Sequence, residues 1–196
     1  MVFDVGRVLF QWQLSALFEK LIADEAERAW FLAHVVTEEW HFQHDQGVAL
    51  AEMIPARIAE YPQYEAHIEA YAARFNETVP GPVAGTHALV ERLHARGVPL
   101  FCLTNFGDEL WQAFRPTAAI FDLFDDIIVS GVEKVAKPDP AIYAIAEARI
   151  GLSAQDLFFT DDNADNIAAA RARGWHAHVF TDAARLEAQL VAAGLL

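Results

Sequence analysis

The 196-residue sequence has one cysteine and so no internal disulfide; Cys102 lies in the apolar run Val98–Leu103, where an inert buried thiol in a reducing compartment is expected. No apolar stretch reaches the roughly 18 residues that span a bilayer. Only three residues precede Asp4, too few for a signal peptide, so a cytoplasmic protein is expected. Positive charge is scarce too: 14 basic residues stand against 28 acidic ones, a net charge of −14. That argues against nucleic acid or an anionic membrane as partner. It does not argue against a small phosphorylated metabolite, provided that a metal ion and a lysine neutralise the site locally. There is no internal repeat and no low-complexity tract, and the eight histidines follow no recurring spacing. What is present is 54% hydrophobic and 21% charged residues, in a chain long enough for one substantial core or for a core with a small inserted lobe.

The first ten residues, MVFDVGRVLF, read as a buried strand ending in Asp4 and a turn freed by Gly6. Leu14, Leu17, Phe18, Leu21 and Ile22 then repeat as the stripe of an amphipathic helix. Further helices are expected over Asp24–His34, from an N-cap at Thr37 to near Gly47, over Ala49–Glu60 with Pro55 starting a turn or a kink, and over Tyr64–Phe75. Residues 11–80 thus form a helical lobe, closed by Val79-Pro-Gly-Pro82. Beyond it helix and strand alternate: helix Val83–Arg96, strand Val98–Leu103, helix Leu110–Phe114 and strand Asp126–Val129. A helix from the Asp139-Pro140 cap to Ile150, strand Leu157–Phe159, helix Ala164–Arg173, strand His176–Phe180 and helix Ala183–Ala193 complete the chain. The fold class is therefore α/β: a Rossmann-like parallel sheet with helices on both faces, built from residues 1–10 and 81–196.

In such a sheet ligands bind outside the carboxyl ends of the strands. Those ends offer Asp4, Thr104-Asn105, Lys137 and Asp161-Asp162. Carboxylates converging from separate strands make an oxygen-ligand site suited to Mg²⁺. Thr104 and the Asn105 amide are placed to hold phosphoryl oxygens, and Lys137 to offset the charge that develops on them. Asp4 is then a candidate nucleophile on phosphorus, through an aspartyl-phosphate. Taken singly, each has a plainer reading: Asp161-Asp162-Asn163 as a helix cap, Lys137 as a surface lysine. Their joint occurrence at successive strand ends is what points to a site.

The segments FDVGRVL, LTNFG, KPDPAIY and FFTDDNADN resemble, in order, the four motifs of the haloacid dehalogenase-like (HAD) hydrolase superfamily, over nearly the whole chain. Within it, the subgroup of small phosphatases typified by bacterial α-D-glucose-1-phosphate phosphatase is the most similar in look, and WHFQHDQG resembles its cap. The resemblance implies a phosphatase of small phosphomonoesters, a sugar phosphate among the candidates. It makes Asp4 nucleophile and metal ligand, Thr104 and Asn105 phosphate-binding, Lys137 a stabiliser of the phosphoryl group, and Asp162 a Mg²⁺ ligand supported by Asp161. It also makes the helical insert the cap over the site.

One departure stands out. Most phosphatases of the superfamily carry a second aspartate where this chain has Gly6, whose carbonyl can ligand a metal but cannot shuttle a proton. His41, His44 and Asp45 of the cap are the candidates to replace it. Arg7 either reaches a substrate oxygen or only decorates the turn. Two rival functions follow from the same resemblance. The metal-independent 2-haloacid dehalogenases also lack the second aspartate, but carry small neutral residues in place of Asp161-Asp162. The other rival is a binding or regulatory protein of this fold with weakened catalysis.

Overall fold

Five short parallel strands form the centre of the molecule, seen in a computed structural model that describes residues 1–196. They are β1 (Val2–Phe3), β2 (Phe101–Thr104), β3 (Asp126–Val129), β4 (Phe158–Asp161) and β5 (His176–Val179), ordered β3-β2-β1-β4-β5 across the sheet. β1 is only two residues long yet central: Val2 stands opposite Phe101 on one side and Phe159 on the other. The strand order reverses here, so Asp4 leaves the sheet between the carboxyl ends of β2 and β4, at the topological switch point.

Between β1 and β2 lie α1 (Ser15–Phe18), α2 (Glu25–His34), α3 (Glu38–Asp45), α4 (Leu50–Glu60), α5 (Glu65–Ala73) and, past Pro82, α6 (Thr86–Ala95). After β2 come α7 (Asp108–Phe114), α8 (Ser130–Glu133), α9 (Pro140–Ile150), α10 (Ala164–Ala172) and α11 (Ala183–Ala192). The central strands β1 and β2 are buried on both faces because both are covered, whereas the edge strand β5 carries His176 and His178. Val2, Phe101, Leu103 and Phe159 pack with Ile142 and Tyr143 of α9 and Ile167 of α10. Phe3, Cys102 and Phe158 face the larger core, which includes Val90 of α6 and Leu186 of α11 and continues through Phe18, Phe31 and Tyr71 into the helical segment.

Several element boundaries differ from the sequence reading, for local reasons. Leu14, Leu17, Phe18 and Ile22 of the stripe are buried and Leu21 is half-buried, but only Ser15–Phe18 is α-helix; Lys20 and Leu21 donate to carbonyls three residues back, the tighter 3₁₀ pattern. Pro55 starts no new turn: α4 runs through it. Both Pro55 and Ala51 are exposed, so the carbonyl that loses its N–H partner is open to water. The helix expected from Val83 starts at Thr86, since Gly85 takes a left-handed φ of +85° at its N-cap. Thr37 caps α3 as expected, accepting from Trp40 N–H at 2.9 Å. β4 extends two residues further than its apolar run, so that Asp161 is itself a strand residue and wholly buried.

Candidate active site

Asp4 stands beside a buried lysine. Its Oδ1 accepts the Val5 N–H at 2.7 Å and lies 2.9 Å from Lys137 Nζ, while Oδ2 accepts no hydrogen bond. Lys137 is 1% exposed, and its ammonium also donates to Asp161 Oδ2 at 2.6 Å and to the Leu103 carbonyl at 2.8 Å. Asn105 fixes the lysine from behind: its Nδ2 donates to the Lys137 carbonyl at 2.9 Å, and its Oδ1 accepts the Lys137 N–H at 2.8 Å. The Asn105 side chain thus braces the Lys137 backbone, and its own backbone N–H is free for a ligand.

The two adjacent aspartates have different surroundings. Asp161 is fully buried, and besides Lys137 it accepts the Asn163 N–H at 2.8 Å and Asn166 Nδ2 at 3.0 Å on each oxygen. Asp162 is half-buried and paired with no other residue. Oxygens of Asp4, Asp161 and Asp162 all lie within 4.8 Å of one another. The Gly6 carbonyl accepts no hydrogen bond, and the buried Thr104 hydroxyl has no partner. Burial pushes the Asp4 carboxyl up to about 7, with Lys137 opposing and Asp161 adding to the rise. Burial would lower the Lys137 ammonium, but the carboxylates of Asp161 and Asp4 outweigh it and hold it above the ordinary lysine value.

Three carboxylates against one ammonium leave two negative charges uncompensated in a largely buried cluster. An all-oxygen donor set with that charge fits a hard divalent cation. Asp162 and the Gly6 carbonyl, beside the Asp4 carboxylate, are free to hold it, whereas Asp161 is occupied by hydrogen bonds and holds Lys137 instead. Above this cluster a cavity of about 340 Å³ is lined by Asp4, Gly6, Asn105, Lys137 and Asp162 from the sheet side. Trp12, His41, Phe42, Asp45 and Phe75 line it from the helical segment. Thr104 lies behind the lining, and His44 does not reach it.

Arg7 has a left-handed φ of +57°, pairs with Glu38 of α3, and lies 4.9 Å over the Trp12 ring. It thus ties the strand-end turn to the helical segment. A second tie is Ser130, whose hydroxyl donates to the Asp45 carbonyl at 2.6 Å and accepts the Phe106 N–H at 3.0 Å. Neither Ser130 nor Asn166 was marked out by residue type; Asn166 sits inside the DDNADN motif, and Ser130 carries no signal beyond following a strand. A third tie is steric. A Cβ on Gly107 would lie 1.8 Å from His44 Cδ2, so the glycine is what lets α3 dock. Gly107→Ala is expected to cost about 1–3 kcal/mol, as overpacking does. Urea denaturation should show that loss, largely recovered in Gly107→Ala/His44→Ala.

The family profile of haloacid dehalogenase-like hydrolases matches residues 6–174. A sesquiterpene phosphatase of Aspergillus oryzae is 28% identical over 183 residues, 92% of this chain and 89% of that protein. An (S)-2-haloacid dehalogenase of Pseudomonas putida is 32% identical over 89 residues, 45% of this chain and only 39% of that protein. Among solved structures, a HAD family enzyme of Bacteroides thetaiotaomicron in complex with magnesium and inorganic phosphate shares the fold, with a TM-score of 0.70. It is 22% identical, and the match covers 92% of this chain and 93% of that one.

Proposed function

Because this chain belongs to the haloacid dehalogenase-like hydrolase family, we propose that it is a Mg²⁺-dependent phosphatase of small phosphomonoesters, working through an aspartyl-phosphate on Asp4. The observation that carries this reading is the doubly negative cluster of Asp4, Asp161, Asp162 and Lys137. A 2-haloacid is itself an anion, and without a cation this cluster would repel it. A phosphoryl group arriving with Mg²⁺ removes that conflict.

Asp4 Oδ2, the oxygen free of hydrogen bonds, attacks phosphorus. Lys137, held by Asp161, Asp4 and the Leu103 carbonyl, keeps its positive charge beside the nucleophile, where charge develops on the phosphoryl oxygens. The free Asn105 N–H supplies a further donor. Asp4, Asp162 and the Gly6 carbonyl would hold Mg²⁺, which supplies charge neutralisation when bound. The helices between residues 11 and 80 act as the cap, since they supply the far wall of the cavity.

Phe10, Trp12, Phe42, Phe75, Phe106 and Phe114 line the cavity. That wall suits a leaving group with an apolar body better than a polyhydroxylated sugar, in keeping with the name of the Aspergillus relative. The test is a phosphate-release screen over aryl, prenyl, sugar and nucleotide phosphates. Turnover is expected with Mg²⁺, falling to background in EDTA and returning when Mg²⁺ is restored. Chloride release from a 2-haloacid in EDTA, with no phosphate release from any ester, would overturn the reading.

A further inference from the structure

The cavity holds one proton-carrying group that neither the nucleophile, the cation site nor a structural pairing uses. We propose that Asp45, the last residue of α3, is the general acid and base of the reaction: it protonates the leaving-group oxygen and then takes a proton from the attacking water. This rests on the phosphatase reading above and deepens it.

The titratable residues that line the cavity are few enough to take one by one. Asp4 and Lys137 are committed to each other and to phosphorus, and Asp162 to the cation. Arg7 and Glu38 are paired together. Asp165 is exposed at the start of α10. Gly6 offers no side chain, and the reason is not conformational. Its φ is ordinary for any residue, and a Cβ there would meet nothing within 4 Å. His41 and Asp45 remain.

Their environments separate them. The buried Tyr71 hydroxyl lies 2.6 Å from His41 Nδ1, which is its one hydrogen-bond partner, so Tyr71 donates and Nδ1 accepts. The ring proton then sits on Nε2, 3.5 Å from Asp45 Oδ2. Stacked on Phe75 and against Trp12, the ring is desolvated; burial, then His44 and Arg7, push it down to about 3, and it stays neutral. His41 is thus a positioning residue. Asp45 lines the cavity, is 4% exposed, and leaves its Oδ1 without a hydrogen-bond partner, which suits a carboxyl that carries its own proton. Burial pushes this carboxyl up to about 8, with the Gly107 N–H opposing, Asp4 adding and Lys137 opposing. The charged and titratable neighbours are His41 and His44 on its own helix, Tyr71 on α5, and Asp4 and Lys137 across the cavity. Ser130 holds the Asp45 carbonyl, so the group cannot drift from the sheet.

The steps balance. The Asp4–phosphorus bond forms as the bond to the leaving oxygen breaks, and the Asp45 carboxyl proton passes to that oxygen. Water then attacks the aspartyl-phosphate and gives its proton back to Asp45, releasing phosphate and restoring both carboxyl groups.

The experiment is kcat/KM with Mg²⁺ for p-nitrophenyl, phenyl and alkyl phosphates, in wild type and Asp45→Asn. Asparagine is isosteric with the neutral acid, so folding is expected to survive. The variant should lose about a hundredfold or more on the alkyl ester but less than about tenfold on p-nitrophenyl phosphate, whose leaving group needs no proton. An equal loss on all three, or none, overturns the proposal. If Asp45→Asn does not fold, the wild type alone decides: a shallow dependence on leaving-group basicity supports the proposal, and a steep one overturns it. Wild type inert towards p-nitrophenyl phosphate would instead defeat the phosphatase reading itself.

Discussion

Asp4→Asn is expected to lower kcat by roughly 10⁴- to 10⁶-fold, the scale seen when a covalent nucleophile is removed. The fold should not suffer. The amide oxygen still accepts the Val5 N–H, and Lys137 keeps Asp161 and the Leu103 carbonyl. One of two uncompensated buried charges also disappears, so the melting temperature in EDTA is expected to be equal to or above that of wild type. Phosphate release and a thermal melt on the same preparation separate the two effects. Acid quenching during turnover should trap phosphate on the wild-type peptide that contains Asp4 and none on the variant. Substantial turnover by Asp4→Asn would remove the nucleophile from the mechanism, and with it the reason for the surrounding cluster.

The convergence of Asp4, Asn105, Lys137 and the aspartate pair was legible because a parallel sheet sends every carboxyl end to one edge. Alternating helix and strand fixes which side of each strand carries chemistry, whatever the tertiary detail. The division of labour within the site was not legible. Asp161 and Asp162 are adjacent and chemically identical; only the depth of β4 and the Asn166 amide make one a lysine clamp and leave the other free. Asn105 is expected to meet phosphate through its backbone amide, which is free; that its side chain braces the Lys137 backbone could not be read from its type. His41, His44 and Asp45 recur at helical spacing on one face of α3, so periodicity alone gives no order among them. Their partners do: Tyr71 for His41, the Val48 carbonyl for His44, none for Asp45 Oδ1.

Lys137→Met is expected to be the most destabilising single change in the site. The ammonium is the one cation in contact with both Asp4 and Asp161, and Asp161 has no exposure through which water could replace it. Removing one partner of a buried ion pair costs about 3–5 kcal/mol. For a chain of this length that is a fall in melting temperature of about 10 °C or more. The two Asn166 hydrogen bonds and the Asn163 N–H soften the loss without supplying a charge. The diagnostic comparison is therefore Asp161→Asn/Lys137→Met, in which the stranded carboxylate is gone as well. Because the two groups share one interaction, the double variant should cost at least about 1 kcal/mol less than the sum of the singles. Both should be inactive, since a methionine offers the phosphoryl oxygens no charge. Strict additivity in urea melts would mean that Lys137 supports the fold through packing alone, and the electrostatic account of the cluster would have to be abandoned.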